Sequence, residues 1–307
     1  MVKKNTIIAY DLTDISKDAA KKIEKISRVF DGSKRKITNG CLLHGVGING
    51  ILVKLQIHDG EQFTTNQIRA NIVNIISREF DQKGIWVIDR GNDDKQFFRF
   101  LRHNAKVNFI ARLKCNRQVV LKKTGALMLV KNLKPGKYAV YLMNKNNTHV
   151  DQTYEYTLII QNHLKDKEPI RLLHSLKYGY PKKEIVTIYL QRWGVENMFK
   201  RVKDKFELEK IRVLKYEKFV HLVALIQLAV LVSTLTFMRI RQTTNAIIVG
   251  VLMCYKNFIK LKVLGFNLDS FITFMKTSLK PLIIKIDHPP NQLNIFSRRQ
   301  VEKLVPF

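Results

Sequence analysis

"NTIIAYDLTD", Asn5 to Asp14, is the stretch on which the reading of the fold turns. Ile7, Ile8, Ala9 and Tyr10 form a short unbroken apolar run, closed by acids at Asp11 and Asp14. A run so short and apolar reads as a buried strand, and an acid at its end can stand at the edge of a sheet. A second run of this kind, "GIWVIDRG" (Gly84 to Gly91), ends at Asp89. For any single Asp the commoner outcome is the start of a turn. Asp14, Asp59 and Asp93 compete with these two on position alone.

The neighbouring segments supply the order of elements. In "ISKDAAKKIEKISRVF", Ala19, Ile23, Ile26 and Phe30 recur at helical spacing, which predicts a helix or helical turn. "GCLLHGVGINGILVKLQIHD" reads as two strands joined at Asn49-Gly50, the dipeptide that best suits a tight hairpin turn. "TTNQIRANIVNIISREF" predicts an amphipathic helix with Ile68, Ile72, Ile75 and Ile76 on one side. "DKQFFRFLRHN" predicts a short helix and "KVNFIARL" a further strand. From about Cys115 to Tyr180 the runs become short and β-prone, separated by "KPGK" and "NKNN". After Pro181 one long helix is expected, then an apolar helix, then helical pieces to about residue 280 and a peripheral tail.

Three strands, a helix, a strand, a short helix, a strand and a late long helix is the order of the ribonuclease-H-like α/β fold. That fold is a mixed sheet flanked by helices, here with a β-rich insertion before the late helix. The expected organisation is a core over 1–114, the insertion over 115–180, the completing helices over 181–240 and a helical C-terminal region with its tail over 241–307.

Charge bears on the partner. The chain carries 54 Lys and Arg against 25 Asp and Glu, a formal net charge of +29. Such an excess repels itself in a compact state, so a polyanion is the natural partner. Nucleic acid leads, with an anionic membrane surface second. The basic residues are spread along the chain, which favours a broad docking surface over a detachable arm. Cys41, Cys115 and Cys254 are few and unpaired in spacing, so neither a disulfide framework nor a zinc site is expected, and a reducing cytosol fits. "FVHLVALIQLAVLVSTLTFM" (219–238) has the length of a membrane span. His221, Gln227, Ser233, Thr234 and Thr236 interrupt it, and a helix buried on all sides is the favoured reading, with no membrane partner.

Two motifs remain. "GVGING" (Gly45 to Gly50) matches the dinucleotide fingerprint, which requires a following helix. "ILVKLQI" follows instead and alternates like a strand, so the glycines belong to the hairpin. "YLQRWGVENMFKRVK" (Tyr189 to Lys203) holds one carboxylate, Glu196, among Arg192, Lys200, Arg201 and Lys203. On one continuous helix Tyr189, Arg192, Glu196 and Lys203 fall within an arc of roughly 60°. Ile188, Val195, Phe199 and Val202 lie on the adjacent, core-facing arc. Glu196 either aims at a bound metal from that seam or simply pairs with Arg192 or Lys200 at helical spacing.

Tyr189, Arg192, Glu196 and Lys203 satisfy Y-x2-R-x3-E-x6-K, and the chain here resembles a large branch of bacterial insertion-sequence DDE transposases that carries this signature. "YDLTDISKDAAKKIEKISRVFDGSK" and "IWVIDRGNDDKQFFRFL" are similar to that family's blocks around its first and second acids. The resemblance implies a DNA transposase catalysing strand cleavage and strand transfer, in the bacterial cytoplasm on the nucleoid. It implies that Asp11, Asp89 and Glu196 hold two Mg2+ ions, with Mn2+ as a substitute. It also implies phosphate contacts from Tyr189, Arg192, Lys200 and Lys203, and a synaptic dimer. Such transposases usually carry a DNA-binding domain ahead of the first acid, which here is residue 11. The alternative is therefore a truncated or inactive DNA-binding remnant of the same fold.

Overall fold

In the computed structural model the described residues are 2–18, 20, 22–32, 34–144, 146–162, 168–176, 179–243, 269 and 271–273. The chain divides into two compact units, Met1–Val232 and Ser233–Phe307.

The first unit is a mixed α/β structure built on one eleven-stranded sheet. Its frame is β1 (Ile7–Ser16), β3 (Lys36–Ile48), β4 (Ile51–Ile57), β5 (Ile85–Ile88) and β6 (Asn108–Arg112). These lie in the order β4-β3-β1-β5-β6. β1, β5 and β6 run parallel to one another, and β3 is antiparallel to both β1 and β4. The thirteen-residue β3 also carries β2 (Ser27–Asp31) on the edge it shares with β4. The segment after β6 supplies β7 (Gln118–Leu121), β8 (Leu127–Leu129), β9 (Gly136–Met143), β10 (Val150–Gln161) and β11 (Ile170–His174). β11 pairs with β6, so these strands prolong the same sheet in the order β11-β10-β9-β7-β8.

Helices cover both faces. On one, α1 (Thr65–Glu79) and α2 (Lys95–His103) pack on Ile8, Tyr10, Val46, Trp86 and Phe109. Thr64 and Gln67 form a reciprocal capping box that satisfies donors at the start of α1, and Asp94 caps α2. On the other, α3 (Lys182–Leu190) covers Ile85, Val87 and Ile110. There α4 (Trp193–Lys205) and the first half of α5 (Tyr216–Thr243) cover Leu43, Leu52 and Leu55.

Several expectations are corrected. β1 does not stop at Asp11 but runs through Asp14 to Ser16. No helix forms among the described residues of 15–30. Ile15 belongs to β1, Lys25 takes a left-handed conformation (φ 55°) that a helix cannot continue, and Ser27 to Phe30 pair along β3 as part of β2. Lys17 is buried and its ammonium donates to the carbonyls of Leu208, Glu209 and Ile211, which pins this connection. Tertiary pairing has overridden a local helical period here. On α1, Val73 rather than Ile75 completes the buried stripe, and Ile75 is exposed.

The late helix is two helices. Between α3 and α4 the N–H groups of Arg192, Gly194 and Val195 bond to the carbonyls three residues back, a 3₁₀ tightening that breaks the axis. Tyr189, Arg192 and Glu196 nevertheless stay on one side, all directed at the same cluster of acids. Ile188, Val195, Phe199 and Val202 are buried as expected, but Tyr189 and Arg192 are buried too.

α5 is not buried on all sides. Phe219, Val223, Ile226 and Val230 pack on the sheet, whereas Leu225 and Leu228 stand more than half exposed. Gln227 seats the helix on the outer edge of β4, accepting from Leu55 N at 2.7 Å and donating to Val53 O at 3.1 Å. An edge strand is thereby closed. The stretch Tyr216–Arg239 is long and apolar enough to cross a membrane. The C-terminal tail, the helical pieces beyond 243 other than residues 269 and 271–273, and Cys254 lie outside the described residues. Cys41 is buried and Cys115 exposed, both as free thiols.

Candidate active site

Strand alternation sorts β1 into two faces. Ile8 and Tyr10 face α1 and α2, while Ala9 and Asp11 face the α3–α4 side. The parallel pairing of Tyr10 with Ile88 sets Asp89, the next residue after β5, at the level of Asp11. Glu196 comes from the first turn of α4, which lies on β1 and β3. Asp11, Asp89, Glu196, Lys200, Lys203 and Asp204 line one open cleft of about 440 Å³. Thus three acids from three separate elements meet at one place.

The glycines of "GVGING" explain how α4 comes so close. Asn49 (φ 48°) and Gly50 (φ 81°) make the hairpin turn, and strand β4 follows. A Cβ at Gly45 would overlap the Phe199 ring, and one at Gly47 would overlap Met198. Phe199 and Met198 both belong to α4, so these glycines admit the helix that carries Glu196.

Tyr189 and Arg192 lie beneath the acids. The Arg192 side chain is only 4% exposed. Its Nη1 donates to Asp11 Oδ2 at 3.0 Å and to Glu196 Oε1 at 2.8 Å, and its Nη2 lies 3.5 Å from Asp89 Oδ1. The Tyr189 hydroxyl donates to Asp89 Oδ1 at 3.1 Å. Lys203 sits 3.8 Å from Asp14 and 3.9 Å from Glu209, and Lys200 is exposed at the cleft.

The electrostatics follow from this crowding. Burial pushes the Asp11 carboxyl up to about 7; Arg192 opposes the shift and Asp89 adds to it. Burial acts on Asp89 in the same direction, yet Arg192, the N–H groups of Arg90 and Gly91 and the Tyr189 hydroxyl together hold it below the usual range. Burial raises the Tyr189 phenol to about 12. Burial works against the Arg192 charge, but Tyr189 and the acids around it hold its pKa above the ordinary value.

The rival acids have local work. Asp59 pairs with Lys25 at 2.5 Å and accepts from the N–H groups of Glu61 and Gln62. Asp93 pairs with Arg117 at 2.7 Å and accepts from Lys114 N. Asp14 stands near Lys203. Asp204, which the sequence reading passed over, was within reach of it, because it lies four residues after Lys200 and eight after Glu196 on one helix face. The bridge from Arg192 to Asp11 spans 181 residues and has no local signal.

Three carboxylates are a hard, all-oxygen donor set of the kind that suits a divalent magnesium or manganese ion. As they stand, one guanidinium touches all three, and among the described residues no group of three or more His, Cys, Asp or Glu is arranged to hold a metal. The donor chemistry fits the ion; a ready cage is not formed while Arg192 bridges the acids.

A search among curated proteins finds no match. A family model described as the transposase DDE domain matches residues 3–232, which covers β1 through the first half of α5. That match takes in most of the chain, including every acid of the cleft, and the protein belongs to the DDE transposase-domain family, DNA transposases that generally work with divalent metal ions.

Proposed function

We propose that this transposase carries out strand cleavage and strand transfer at the ends of an insertion sequence, with Asp11, Asp89 and Glu196 as its metal-holding acids. The observation that carries the proposal is the convergence of these three acids, from β1, the end of β5 and α4, on one cleft. The strand order β4-β3-β1-β5-β6, with helices on both faces, supports the ribonuclease-H-like reading of the core. Strands β7 to β11 then correspond to the insertion that precedes the catalytic helix.

Bound divalent ions, magnesium first and manganese as substitute, supply Lewis-acid activation of the attacking oxygen and charge stabilisation of the leaving one. The chain's own residues do the rest. Asp11 and Asp89 are held level by the β1–β5 register, and Glu196 is held over them by the packing of Phe199 and Met198 on glycine. Lys200 and Lys203 stand at the cleft as point charges for backbone phosphates, and Arg192 and Tyr189 add a planar fork and a hydroxyl below them. The net charge of +29 supplies the longer-range attraction for double-stranded DNA. Synapsis of two ends by two copies, in the bacterial cytoplasm, completes the reading.

The test is cleavage of duplex carrying the element's own terminal repeats, with magnesium or manganese, by wild type and Glu196→Ala. The expected result is nicking at the repeat boundary that falls by about 10³-fold in the variant, since removing a metal-holding carboxylate costs several kcal/mol of transition-state stabilisation. Salt-sensitive binding without cutting in either metal would instead establish a DNA-binding remnant.

A further inference from the structure

A phosphate contact alone does not account for where Arg192 lies. It sits in the 3₁₀ turn between α3 and α4, and its side chain is buried whereas Lys200 is exposed. One guanidinium serves three carboxylates, at 3.0 Å to Asp11, 2.8 Å to Glu196 and 3.5 Å to Asp89. Its Cζ lies 5.5 Å from the centroid of the Tyr189 ring, whose hydroxyl is committed to Asp89. Its Nε is buried and has no hydrogen-bond partner. A guanidinium has five N–H donors in a rigid fork, and here one of them is left unmet although three acids surround the group.

Two physical arguments follow. Three carboxylates gathered in a partly buried site need a cation, and removing one without replacement is strongly unfavourable. Divalent ions on the same oxygens would meet the Arg192 charge at close range, so the guanidinium and the ions compete for one set of donors. A displaced guanidinium needs an anion, and the fork matches a phosphate with two parallel bonds. Lys200 and Lys203 line the same cleft as the three acids and would bring a backbone phosphate to it.

We propose that Arg192 is the resting counter-cation of the three acids, that it must release them before divalent ions load, and that a DNA phosphate is the anion that takes it. Metal binding and DNA binding are thereby positively coupled through one positioning side chain. By linkage each ligand tightens the other by the same factor. The inference rests on the reading of Asp11, Asp89 and Glu196 as metal-holding acids.

The experiment measures Mn2+ binding to the metal-stripped full chain by paramagnetic resonance of the free ion, with and without a short duplex of arbitrary sequence. Wild type, Arg192→Gln, Arg192→Lys and Asp11→Asn are compared, with folding checked by circular dichroism. Without duplex, Arg192→Gln is expected to bind Mn2+ about tenfold more tightly than wild type, in the usual range of coupling between two sites. The duplex is expected to tighten Mn2+ binding about tenfold in wild type and less than about twofold in Arg192→Gln. Equal or weaker Mn2+ binding by Arg192→Gln, or equal tightening of both proteins by the duplex, overturns the proposal. Should Arg192→Gln fail to fold, Arg192→Lys gives the same reading, because a point charge on one stem cannot fork to three acids. Mn2+ affinity equal to wild type in that variant overturns the proposal. Mn2+ binding that Asp11→Asn leaves intact, with or without duplex, overturns the metal reading itself and the inference with it. That outcome is distinguishable, because it appears in the Asp11 variant and not in the Arg192 pair.

Discussion

Tyr10 and Asp11 are neighbours on β1, and their side chains enter two polar clusters on opposite faces of the sheet. On the α1–α2 face the Tyr10 hydroxyl bonds His44 Nδ1 at 2.7 Å, and His44 Nε2 bonds His58 Nδ1 at 3.0 Å. Tyr10 and His44 are fully buried, and the two imidazoles stack. Burial, with His58 and Arg69 nearby, pulls the His44 pKa down to about 3, so this cluster is neutral and each member has its partner. On the other face three carboxylates share one guanidinium at the edge of an open cleft. A neutral chain of matched donors and acceptors is a finished piece of packing. Like charges held together against their own repulsion, with access from outside, are arranged for something that arrives.

The sharpest way to break this contrast is to exchange the expected phenotypes of the two neighbours. Asp11→Asn is expected to lose about 10³-fold in cleavage of terminal-repeat duplex while keeping its denaturation midpoint. Tyr10→Phe is expected to do the reverse, costing about 1–3 kcal/mol of stability by orphaning a buried His44 nitrogen while leaving Mn2+ binding unchanged. Urea denaturation and the cleavage assay on both variants decide it, and a Tyr10→Phe enzyme with lost activity and full stability would join the two clusters into one site.

Gly45→Ala comes next. The added methyl group meets the stiff Phe199 ring, so overpacking of about 1–3 kcal/mol is expected, together with reduced Mn2+ binding as α4 shifts with Glu196. Gly47→Ala meets the mobile Met198 methyl but also the branched Val195 side chain, so a cost in the same range is expected. Equal stability of the two variants and wild type would show that α4 is not seated by these glycines.

The pH dependence of stability separates the clusters again. The unfolded His44 titrates near 6.5 and the folded one near 3, so the unfolded state binds the extra proton between those values. Its contribution is fully present above about 6.5 and is lost as the pH falls toward 3. From pH 7 to pH 5 wild type should lose about 2 kcal/mol more than His44→Gln does. Urea melts at the two pH values measure this, and parallel losses would mean that His44 is already protonated in the folded state.

The smallest effect belongs to the mouth of the cleft. Lys200→Ala should reduce the slope of log binding constant against log salt by about 1 for duplex of any sequence. A salt titration followed by fluorescence anisotropy reads it. An unchanged slope would remove Lys200 from the DNA path.

Much of the frame was open to reading along the chain. The apolar runs at Ile7 and Ile85, the Asn49-Gly50 hairpin, α1 with its Thr64–Gln67 cap and the Phe-rich α2 are local patterns, and each formed where its pattern lay. Asp89 stood out as the acid after an apolar strand and Asp11 as the acid after an apolar run, both local signals, although β1 itself continues past Asp11. The errors came where the local signal was true but outweighed. The helical spacing over 15–30 yielded, at its C-terminal end, to pairing along β3, and the apolar α5 packs only one side on the sheet.

The motif from Tyr189 to Lys203 divides along the same line. Residue types, spacing and net charge were enough to mark Glu196 as an acid among cations and to tie the chain to a polyanion. Nothing local could reveal that α3 and α4 part company at Arg192, or that its guanidinium reaches Asp11 across 181 residues. Helical periodicity acts over a few residues and is written into neighbouring side chains. The competition among three acids for one cation exists only after the β1–β5 register and the packing of α4 on Gly45 and Gly47 have brought them within hydrogen-bonding distance of it.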